Sequence, residues 1–335
     1  MVMRLNVLGA SGAFPGPDRA CSGYVVEHAG TRVVVDLGWG TLPRLFAHLG
    51  GHHGDEVDAI AVTHEHPDHT ADLYGFFRAR WYTRRQAPPI PLIAPRPVVD
   101  ALVAAAGDED PIRQVFEWVE APGESVEVGT VRLSTVELPH YVLNAGVRVE
   151  ADEVAVAFTG DTGPSPSLAE LGREAAMYVV DATDRHQQPG VEPAPPGTPQ
   201  FNLTAADAGA AASAAGAHAL MLTHHWPGND LDRSRADAAA HYAGPIFVAS
   251  DGLAIDLPVT DRHERRRPVS SSALASAGYD ERTKTLEIEF VSGEIYRYLD
   301  VDAATAEALF RAESMGAFVN QHIKPAHRYV YLGPS

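Results

Sequence analysis

The amino-acid sequence predicts a layered α/β domain over residues 1–258 and a small α+β domain over 268–335, joined by an Arg-rich linker at 259–267. Three observations lead to this organisation. Along the first 258 residues, short β-branched runs bounded by Gly, Pro and Asp alternate with helix-like segments, which is typical of layered α/β domains. After residue 268 the pattern changes to paired strand-like runs and one helix. A chain of 335 residues is also long for one domain.

Each predicted strand of the first domain is a run of β-branched or apolar residues between turn-forming residues. In chain order the runs are Leu5–Leu8, Gly23–Glu27, Thr31–Asp36, Asp58–Thr63, Val131–Leu138, Gly146–Glu150, Val154–Thr159, Met177–Asp181, Ala219–Thr223 and Ile246–Ala249. Helices are expected at about 41–49, 68–80, 96–106, 166–173, 204–216 and 231–242. The helix at 204–216 starts with Thr204, a residue type that commonly caps helices.

Two later segments have other patterns. Arg185–Phe201 contains five prolines and is expected to be a long loop that could cover a site. In the second domain, Leu286–Phe290 and Ile295–Tyr298 predict a hairpin around Ser292-Gly293, followed by a helix at about 303–313.

Composition and charge exclude several classes of protein. No apolar run reaches the roughly 18 residues of a membrane span, and the first residues lack the pattern of a signal peptide. The single Cys21 excludes an internal disulfide and does not indicate a compartment. From the lack of a membrane span and of a signal-peptide pattern we expect a cytoplasmic protein. The net charge is −18, of which residues 1–260 carry −17. Because binding to a phosphate backbone needs a basic surface, we expect a small-molecule substrate rather than a long nucleic acid. We also expect a homodimer.

The strongest signal for function is a His-rich loop, Thr63-His64-Glu65-His66-Pro67-Asp68-His69. It follows the apolar strand Ala59–Val62 and opens a predicted helix. Three His and one Asp within six residues suit Zn²⁺ and related metals, since imidazole and carboxylate are their usual protein ligands.

Further candidate ligands follow apolar strands downstream. His140 comes after Val131–Leu138, Asp161 lies in Gly160-Asp161-Thr162, and His224 ends Leu222-Thr223-His224. Ligands at strand ends would be delivered to one rim of a layered domain, where they could form a convergent site from distant sequence.

These motifs resemble those of the metallo-β-lactamase superfamily, and its ribonuclease Z-like and phosphodiesterase-like branch most. The resemblance covers about residues 1–258 and includes Leu8-Gly9-Ala10-Ser11-Gly12 and Asp36-Leu37-Gly38. It implies an αββα sandwich with two metals at one edge, Zn²⁺ by type, with Mn²⁺ or iron as alternatives. It also implies three sets of ligands: His64, His66 and His140 on one metal, Asp68, His69 and His224 on the other, and Asp161 between them.

The implied chemistry is hydrolysis by a water that two metals about 3.5–4 Å apart activate. Asp68 could orient that water or accept its proton. Asp36 and Asp58 are candidates for fixing ligand imidazoles through hydrogen bonds, although strand-end capping explains either equally well.

Two residues depart from the branch. A Glu-Ala-Thr that usually assists proton transfer is Asp181-Ala182-Thr183 here, and Asn202 stands where His is expected. Because an amide cannot donate a proton as imidazolium can, cleavage of unactivated phosphodiesters is put in doubt unless His186 or His225 compensates. Only 20 residues separate His140 from Asp161, which leaves no room for the long arm that ribonuclease Z enzymes commonly insert there.

A cationic and aromatic segment follows the metal loop by one helix. Its residues could form an anion- and ring-binding wall for a small substrate, or simply a solvated helix end. They are Arg78, Trp81, Tyr82 and Arg84, with Arg80 and Arg85 beside them.

The tail at about 268–332 resembles the KTSC domain, a small domain named for its occurrence at the C-terminus of some lysyl-tRNA synthetases. The resemblance rests on Val269-Ser270-Ser271-Ser272, Glu294-Ile295-Tyr296-Arg297-Tyr298 and Asn320-Gln321-His322-Ile323. It implies a contact with RNA or protein, in which aromatic residues with Arg297 and Arg328 would suit stacking on bases. The tail's charge of −3 argues against strong RNA affinity.

Three functions remain open from the sequence. The first is a phosphodiesterase acting on small substrates such as cyclic nucleotides, which the family resemblance favours. The second is a hydrolase of carboxylic esters, lactones or thioesters, which Asn202 favours because such leaving groups need less acid assistance. The third is a metal-bearing binding protein that acts through the tail.

Overall fold

The structure is a computed structural model that describes residues 2–83, 87–191, 197–258, 266–281 and 284–334. The chain divides into two compact units. The first comprises Met1–Tyr242 and Val248–Val259, and the second comprises Ala243–Phe247 and Thr260–Ser335. Of the linker expected at 259–267, residues 259–265 lie outside the described residues.

The first sheet of the first unit has the strand order β14-β1-β2-β3-β4-β5-β6. Its strands are β1 Met3–Gly9, β2 Gly23–His28, β3 Thr31–Leu37, β4 Ala59–Ala61, β5 Ile90–Ala94, β6 Phe116–Glu120 and β14 Ala254–Leu257. The strands from β14 to β3 pair antiparallel, and those from β3 to β6 pair parallel. The helices between them are α1 Thr41–Leu49, α2 Pro67–Thr70, α3 Leu73–Thr83, α4 Arg96–Ala106 and α5 Asp110–Arg113.

The second sheet of this unit has the order β12-β11-β10-β9-β8-β7. Its strands are β7 Val126–Val128, β8 Val131–Leu138, β9 Asn144–Ala151, β10 Val154–Phe158, β11 Met177–Asp181 and β12 Leu220–Thr223. Strands β7 to β10 pair antiparallel, whereas β10, β11 and β12 are parallel. The associated helices are α6 Ser167–Leu171, α7 Ala205–Ala215 and α8 Leu231–Ala239.

Apolar burial explains how these layers stack. One core cluster joins side chains of the first sheet, such as Val34 and Ile60, to Leu45 of α1 and Phe76 of α3. The two sheets also meet, because Tyr24 of β2 packs its ring 5.1 Å from that of Phe158 in β10. The two mixed sheets and their helices form the α/β sandwich that the sequence predicts.

The structure adds strands that the sequence pattern did not predict, namely β5, β6, β7 and β14. In β5 the reason is Pro91, because proline within a run argues against a strand. The chain tolerates it because β4 pairs only with Leu92 and Ile93, so the missing N–H of Pro91 faces no partner on that side. The expected helix at 68–80 is split into α2 and α3.

Helix α7 shows why an Ala-rich segment folds here. Thr204 accepts a hydrogen bond from the Asp207 N–H at 3.2 Å, and the Asp207 carboxylate accepts one from the Thr204 N–H at 3.0 Å. This reciprocal cap satisfies two N–H groups that the helix leaves unpaired. Small side chains then let the helix approach α8 closely, since a Cβ on Gly209 would lie 2.4 Å from the carbonyl oxygen of Ala238.

The second unit is an α+β fold with its own core. Its elements are β13 Ile246–Val248, β15 Arg267–Pro268, β16 Leu274–Asp280, β17 Thr285–Phe290, β18 Glu294–Tyr298, α9 Ala303–Arg311, α10 Met315–Phe318, a π turn Val319–Ile323 and β19 Tyr329–Pro334. The hairpin expected around Ser292-Gly293 is β17–β18. Strand β16, which the pattern did not predict, pairs antiparallel with β17.

None of the described helices is long and apolar enough to cross a membrane.

Candidate metal centre

The His-rich loop leaves the end of β4 and runs into α2. His66 precedes the helix in an extended conformation (φ −62°, ψ 145°), and Pro67 occupies its first turn, where a missing N–H is tolerated. The helix then turns Asp68 and His69 inward, and both side chains are buried with His64. The other candidate ligands lie just beyond β8, β10 and β12, so strand ends converge on one edge of the sandwich.

The first group of converging donors consists of His64, His66, His140 and Asp161. His64 Nε2 lies 3.1 Å from His66 Nδ1, and His140 Nε2 lies 3.2 Å from the same nitrogen. His140 Nε2 is 3.7 Å from Asp161 Oδ2. Three ring nitrogens and a carboxylate oxygen from three separate segments therefore face one point.

The second group consists of Asp68, His69, Asp161 and His224, all buried. His224 Nε2 lies 3.1 Å from Asp68 Oδ2 and 3.1 Å from Asp161 Oδ1. His69 Nε2 lies 3.2 Å from the same oxygen of Asp161. Asp161 belongs to both groups, with one oxygen facing each.

The donor atoms fit transition-metal cations. Within the described part of the chain, His69 Nε2 and Asp161 Oδ1 are buried without a hydrogen bond of acceptable geometry. In the first group, Nε2 of His64 and Nε2 of His140 both face Nδ1 of His66. A neutral imidazole has only one N–H, so hydrogen bonds among these three rings do not account for the arrangement as well as a shared cation would. Nitrogens held by one tetrahedral zinc at about 2.0–2.1 Å lie about 3.3 Å apart, close to the spacing observed.

The outward nitrogens of the imidazoles are held by the protein. His69 Nδ1 donates to Asp36 Oδ2 at 2.7 Å, and His140 Nδ1 donates to the carbonyl of Phe201 at 2.7 Å. His224 Nδ1 bonds to Thr183 Oγ1 at 2.8 Å. Each bond fixes the ring so that Nε2 faces the centre.

The two aspartates considered for this orienting role differ in position. Asp36 is buried and also accepts from the Thr63 N–H at 2.8 Å. Asp58 instead accepts from the backbone N–H of Arg32 at 2.8 Å, which is ordinary capping between neighbouring strands.

Asp181 and Asn202 lie behind the metal-site side chains. Asp181 is fully buried, and its Oδ1 accepts from the Thr183 hydroxyl at 2.5 Å, which continues the chain of hydrogen bonds from His224. Its Oδ2 accepts from the Leu203 N–H at 3.1 Å and from Asn202 Nδ2 at 3.0 Å. Asn202 Nδ2 also lies 3.3 Å from Asp161 Oδ2. The pair thus ties the end of the Pro-rich loop to two candidate ligands.

Burial and neighbouring charges shift the pKa values of the imidazoles in two directions. Burial lowers the pKa of His64 well below its usual value, and the neighbouring His69 adds to this. Burial also disfavours the charged form of His69, but the carboxylates of Asp36 and Asp161 outweigh it and raise its pKa to about 10. Burial opposes ionisation of Asp161 too, yet the charges of His224 and His69 hold its pKa well below the usual range. The buried carboxylates of the second group therefore favour positive charge beside them.

The two alternative histidines lie in different surroundings. Burial lowers the pKa of His225 to about 3, with the nearby charge of Arg19 adding to the effect, so this ring is neutral. His186 directs Nδ1 at the Asp184 carboxylate, 3.8 Å away.

The segment expected to form a substrate wall lies along α3. The guanidinium of Arg78 stands over the Tyr82 ring, 4.6 Å from its centroid. Trp81 stacks on Phe77 with centroids 6.3 Å apart and packs against the core of the first sheet. Arg84 lies outside the described residues. The structure brings Arg78, Trp81 and Tyr82 together along the helix, which contributes no member to the two groups of candidate donors.

Sequence reasoning missed the aromatic residues beside the centre. Tyr141 is 64% exposed and packs on Phe201, with ring centroids 4.2 Å apart. On the other side Phe14, 47% exposed, meets Trp226. Tyr141 and Trp226 follow His140 and His225 directly, and this adjacency was the available signal.

In the second unit, both arginines considered for stacking on bases form ion pairs. Arg297 Nη2 donates to Glu287 Oε2 at 3.0 Å, and Glu287 is fully buried. Arg328 Nη2 donates to Asp300 Oδ2 at 2.6 Å. These contacts stabilise the unit itself.

Comparison with known proteins agrees with this geometry. Residues 31–225 match the family described as the beta-lactamase superfamily domain, and residues 270–329 match the KTSC domain. An uncharacterized protein of Mycobacterium leprae is 29% identical over 274 residues, covering 78% of this chain and 91% of that protein. Ribonuclease Z of Mycobacterium bovis is 28% identical over 276 residues, covering 75% of this chain and 96% of that enzyme.

A solved structure shows the same fold. The metallo-β-lactamase fold protein YhfI from Bacillus subtilis superposes with a TM-score of 0.65 at 22% sequence identity, covering 76% of this chain and 100% of that one. The chain therefore belongs to the metallo-β-lactamase superfamily of hydrolases, in its ribonuclease Z-like branch, and carries a C-terminal KTSC domain.

Proposed function

We propose that this chain is a dinuclear-metal hydrolase that cleaves small phosphodiesters such as cyclic nucleotides. The position of Asp161 carries the proposal. Its Oδ2 faces the first group and its Oδ1 faces the second, 3.2 Å from His69 and 3.1 Å from His224. A carboxylate shared in this way would hold two cations as close together as two-metal hydrolysis requires, about 3.5–4 Å.

In this proposal the position of each donor decides which of the two ions it would bind. One ion would be held by His64, His66 and His140, and the other by Asp68, His69 and His224, with Asp161 common to both. Imidazole and carboxylate suit Zn²⁺, and also Mn²⁺ or iron. When bound, such ions supply Lewis acidity, which lowers the pKa of water and stabilises negative charge on the reacting oxygens.

Asp68 is the residue best placed to handle the proton of the attacking water. Its Oδ2 accepts a hydrogen bond from the Ala13 N–H at 2.7 Å and lies 3.1 Å from His224 Nε2. Burial opposes its ionisation, but the hydrogen bond with His224 and the charge of His69 hold its pKa below the usual range. Asp68 is therefore an ionised and oriented carboxylate that could accept a hydrogen bond from the attacking water.

Asp181 and Asn202 act as positioning residues in this proposal. Asp181 holds the Thr183 hydroxyl that in turn orients His224, and Asn202 bridges Asp181 and Asp161. Both oxygens of Asp181 and the amide nitrogen of Asn202 are directed at these partners, so the pair would set the geometry of the ligands.

A small substrate is favoured over RNA, although ribonuclease Z relatives act on RNA. Residues 1–260 carry a net charge of −17, which repels a long phosphate backbone. The chain between His140 and Asp161 is also occupied by the β9–β10 hairpin, whose turn at Asp152-Glu153 is tight, with both residues at positive φ. A hairpin of this size offers no extended arm for RNA.

One observation favours a second candidate, a hydrolase of carboxylic esters, lactones or thioesters. The residues near the centre that could protonate a leaving alkoxide are poorly suited to it. Asn202 is an amide, and His225 is buried and neutral. Leaving groups that need less acid assistance would tolerate this arrangement.

The two candidates are separated by a substrate panel on zinc-loaded, full-length protein. The panel contains bis(4-nitrophenyl) phosphate and cyclic nucleotides on one side, and lactones and thioesters on the other. We expect turnover of the phosphodiesters. Asn202→His should raise the rate on cyclic nucleotides, whose leaving alkoxide is basic, more than on the activated ester.

The control is Asp161→Asn, which should abolish turnover of every substrate if the shared carboxylate holds both ions. Turnover of lactones or thioesters alone would replace the first candidate with the second. Absence of any turnover by protein that holds two zinc ions would contradict both.

A further inference from the structure

A cationic and aromatic cluster, formed by Phe14, Arg185 and Trp226, lies in the first unit beside the second group of donors. The rings of Phe14 and Trp226 meet edge to face, with centroids 6.1 Å apart and planes at 87°. The guanidinium carbon of Arg185 lies 4.8 Å from the centroid of Trp226. Arg185 and Phe14 are exposed, whereas Trp226 is half-buried. A flat cation is thus seated on an indole at the protein surface.

Three chain segments carry this cluster, and each is bonded to the metal-site side chains. Phe14 follows Ala13, whose N–H donates to Asp68 Oδ2 at 2.7 Å. Arg185 lies two residues after Thr183, whose hydroxyl bonds to His224 Nδ1 at 2.8 Å. Trp226 lies two residues after His224 itself. Because two residues span at most about 7 Å of backbone, the backbone that carries the cluster lies close to the centre.

The segment that bears Arg185 is braced against the segment that follows Trp226. Asn229 Nδ2 donates to the carbonyl of Thr183 at 2.9 Å, and Gln187 Nε2 donates to Ser234 Oγ at 2.9 Å. The Asp230 N–H donates back to Gln187 Oε1 at 2.9 Å. These bonds fix the backbone that carries Arg185 before any ligand arrives. Such preorganisation lowers the entropic cost of binding.

The charge of Arg185 has no counter-ion within the described part of the chain. Among the residues that the structure describes, none forms an ion pair or a side-chain hydrogen bond with its guanidinium, which contacts the Trp226 ring alone. By contrast, nearby Arg233 faces Asp237 at 3.8 Å. In a chain with a net charge of −18, acidic partners are abundant, so a guanidinium without one among residues 2–83, 87–191, 197–258, 266–281 and 284–334 is unusual. Stacking occupies one face and leaves the N–H edge available to an anion.

We infer that the substrate carries a second anionic group besides the one that is cleaved, and that Arg185, seated on Trp226, binds this group. A phosphate or a carboxylate has the planar or bidentate geometry that a guanidinium fork recognises. The inference rests on the proposed function, because it concerns the substrate of the same site, and it narrows that function. A cyclic mononucleotide carries no anionic group besides the one that is cleaved, so the preferred phosphodiester would bear a further phosphate or carboxylate.

Equilibrium binding tests the inference without turnover. The probes are two pairs of nucleotides and simple anions, thymidine 3′,5′-bisphosphate against thymidine 5′-monophosphate and pyrophosphate against phosphate. Calorimetry on zinc-loaded, full-length protein should show that the doubly anionic member of at least one pair binds about tenfold more tightly, as one charge-assisted contact provides. Arg185→Gln should remove this preference. Arg233→Gln, an exposed arginine of the same unit, should leave it unchanged.

Equal affinities within both pairs, or a preference that survives Arg185→Gln, would overturn the inference. Turnover then separates it from the proposed function. If carboxylic esters but no phosphodiesters are hydrolysed, the proposed phosphodiesterase is wrong. The inference still stands in that case if esters bearing a remote carboxylate are preferred over neutral ones and Arg185→Gln abolishes that preference through KM.

Discussion

The carboxylate of Asp36 accepts a hydrogen bond from Nδ1 of His69 at 2.7 Å, although Asp36 lies near the end of β3 and His69 lies in α2. The same carboxylate takes the N–H of Thr63 at 2.8 Å, so it also fixes the start of the His-rich loop. Asp36 has a left-handed backbone with φ 58°, a conformation that costs on the order of 1–3 kcal/mol outside glycine. The strained position is retained where it orients a candidate metal ligand.

Removing this hydrogen bond should weaken metal binding. Asp36→Asn leaves the size unchanged but loses the charge that orients His69, so we expect zinc affinity to fall by about 10–100-fold. Competition with a chromophoric chelator measures the change. The matched control is Asp58→Asn, because Asp58 binds a backbone N–H away from the centre and should leave the affinity unaltered. Equal affinities for the two variants would contradict the role given to Asp36.

The position of Asp161 between the two groups predicts that its substitution removes more metal than substitution of a donor from one group. Asp161→Asn should reduce the zinc content of dialysed protein from two ions towards none, since both groups lose a donor. His66→Ala removes a donor from the first group alone and should leave about one ion. Elemental analysis per chain measures this, with circular dichroism to verify folding. Asp161→Asn protein that still holds two ions would show that the carboxylate is not shared.

Close packing between α7 and α8 predicts the cost of one methyl group. Helix propensity favours Ala over Gly by about 1 kcal/mol, but a Cβ at Gly209 would lie 2.4 Å from the carbonyl oxygen of Ala238. We expect the steric clash to outweigh the gain in helix propensity. Gly209→Ala should therefore lower the free energy of unfolding by about 1–3 kcal/mol. Urea denaturation measures it. Ser213→Ala on the exposed face of α7 should instead be neutral or slightly stabilising.

Glu27 predicts a pH dependence of stability. Its hydrogen bond with His48 and, against the effect of burial, that with Arg32 lower the pKa from 4.5 to about 2. Because the folded state binds this proton less tightly than the unfolded state, Glu27 stabilises the fold above pH 4.5, and this contribution is lost as the pH falls towards 2.

We therefore expect Glu27→Gln to cost about 2 kcal/mol at pH 7 and clearly less at pH 3. Urea denaturation at both values measures the difference, with Glu137→Gln, an exposed residue of β8, as the control. A deficit that stays the same at both pH values would show that lost packing rather than charge explains the effect.

Much of the candidate site could be read from the sequence because its donors follow strands. His64 and its neighbours are close along the chain, so their chemistry is visible without a fold. His140, Asp161 and His224 each follow an apolar run, and strand ends of a layered domain meet at one edge. The pairing of Asp161 with both groups depended on the family resemblance, and the coordinates show the same two groups.

The remaining features depend on contacts between distant segments. Trp81 is of a residue type that is common in binding sites, yet it packs on Phe77 and the core of the first sheet. Nothing near Arg185 in the sequence indicates that its guanidinium lies over Trp226, 41 positions later. Likewise β5 is a strand despite Pro91, because its neighbour β4 pairs only with the residues that follow.

The sequence by itself determined the fold class, the strand-end positions of the donors and the chemistry that those donors favour, because periodicity and residue type are local properties of the chain. Only the tertiary structure decided which side chains orient the donors, that Asp181 is buried with its oxygens already bonded, and that the guanidinium of Arg185 lies over Trp226. Those properties arise from the packing of segments far apart in sequence, where burial and distance set hydrogen bonding and charge.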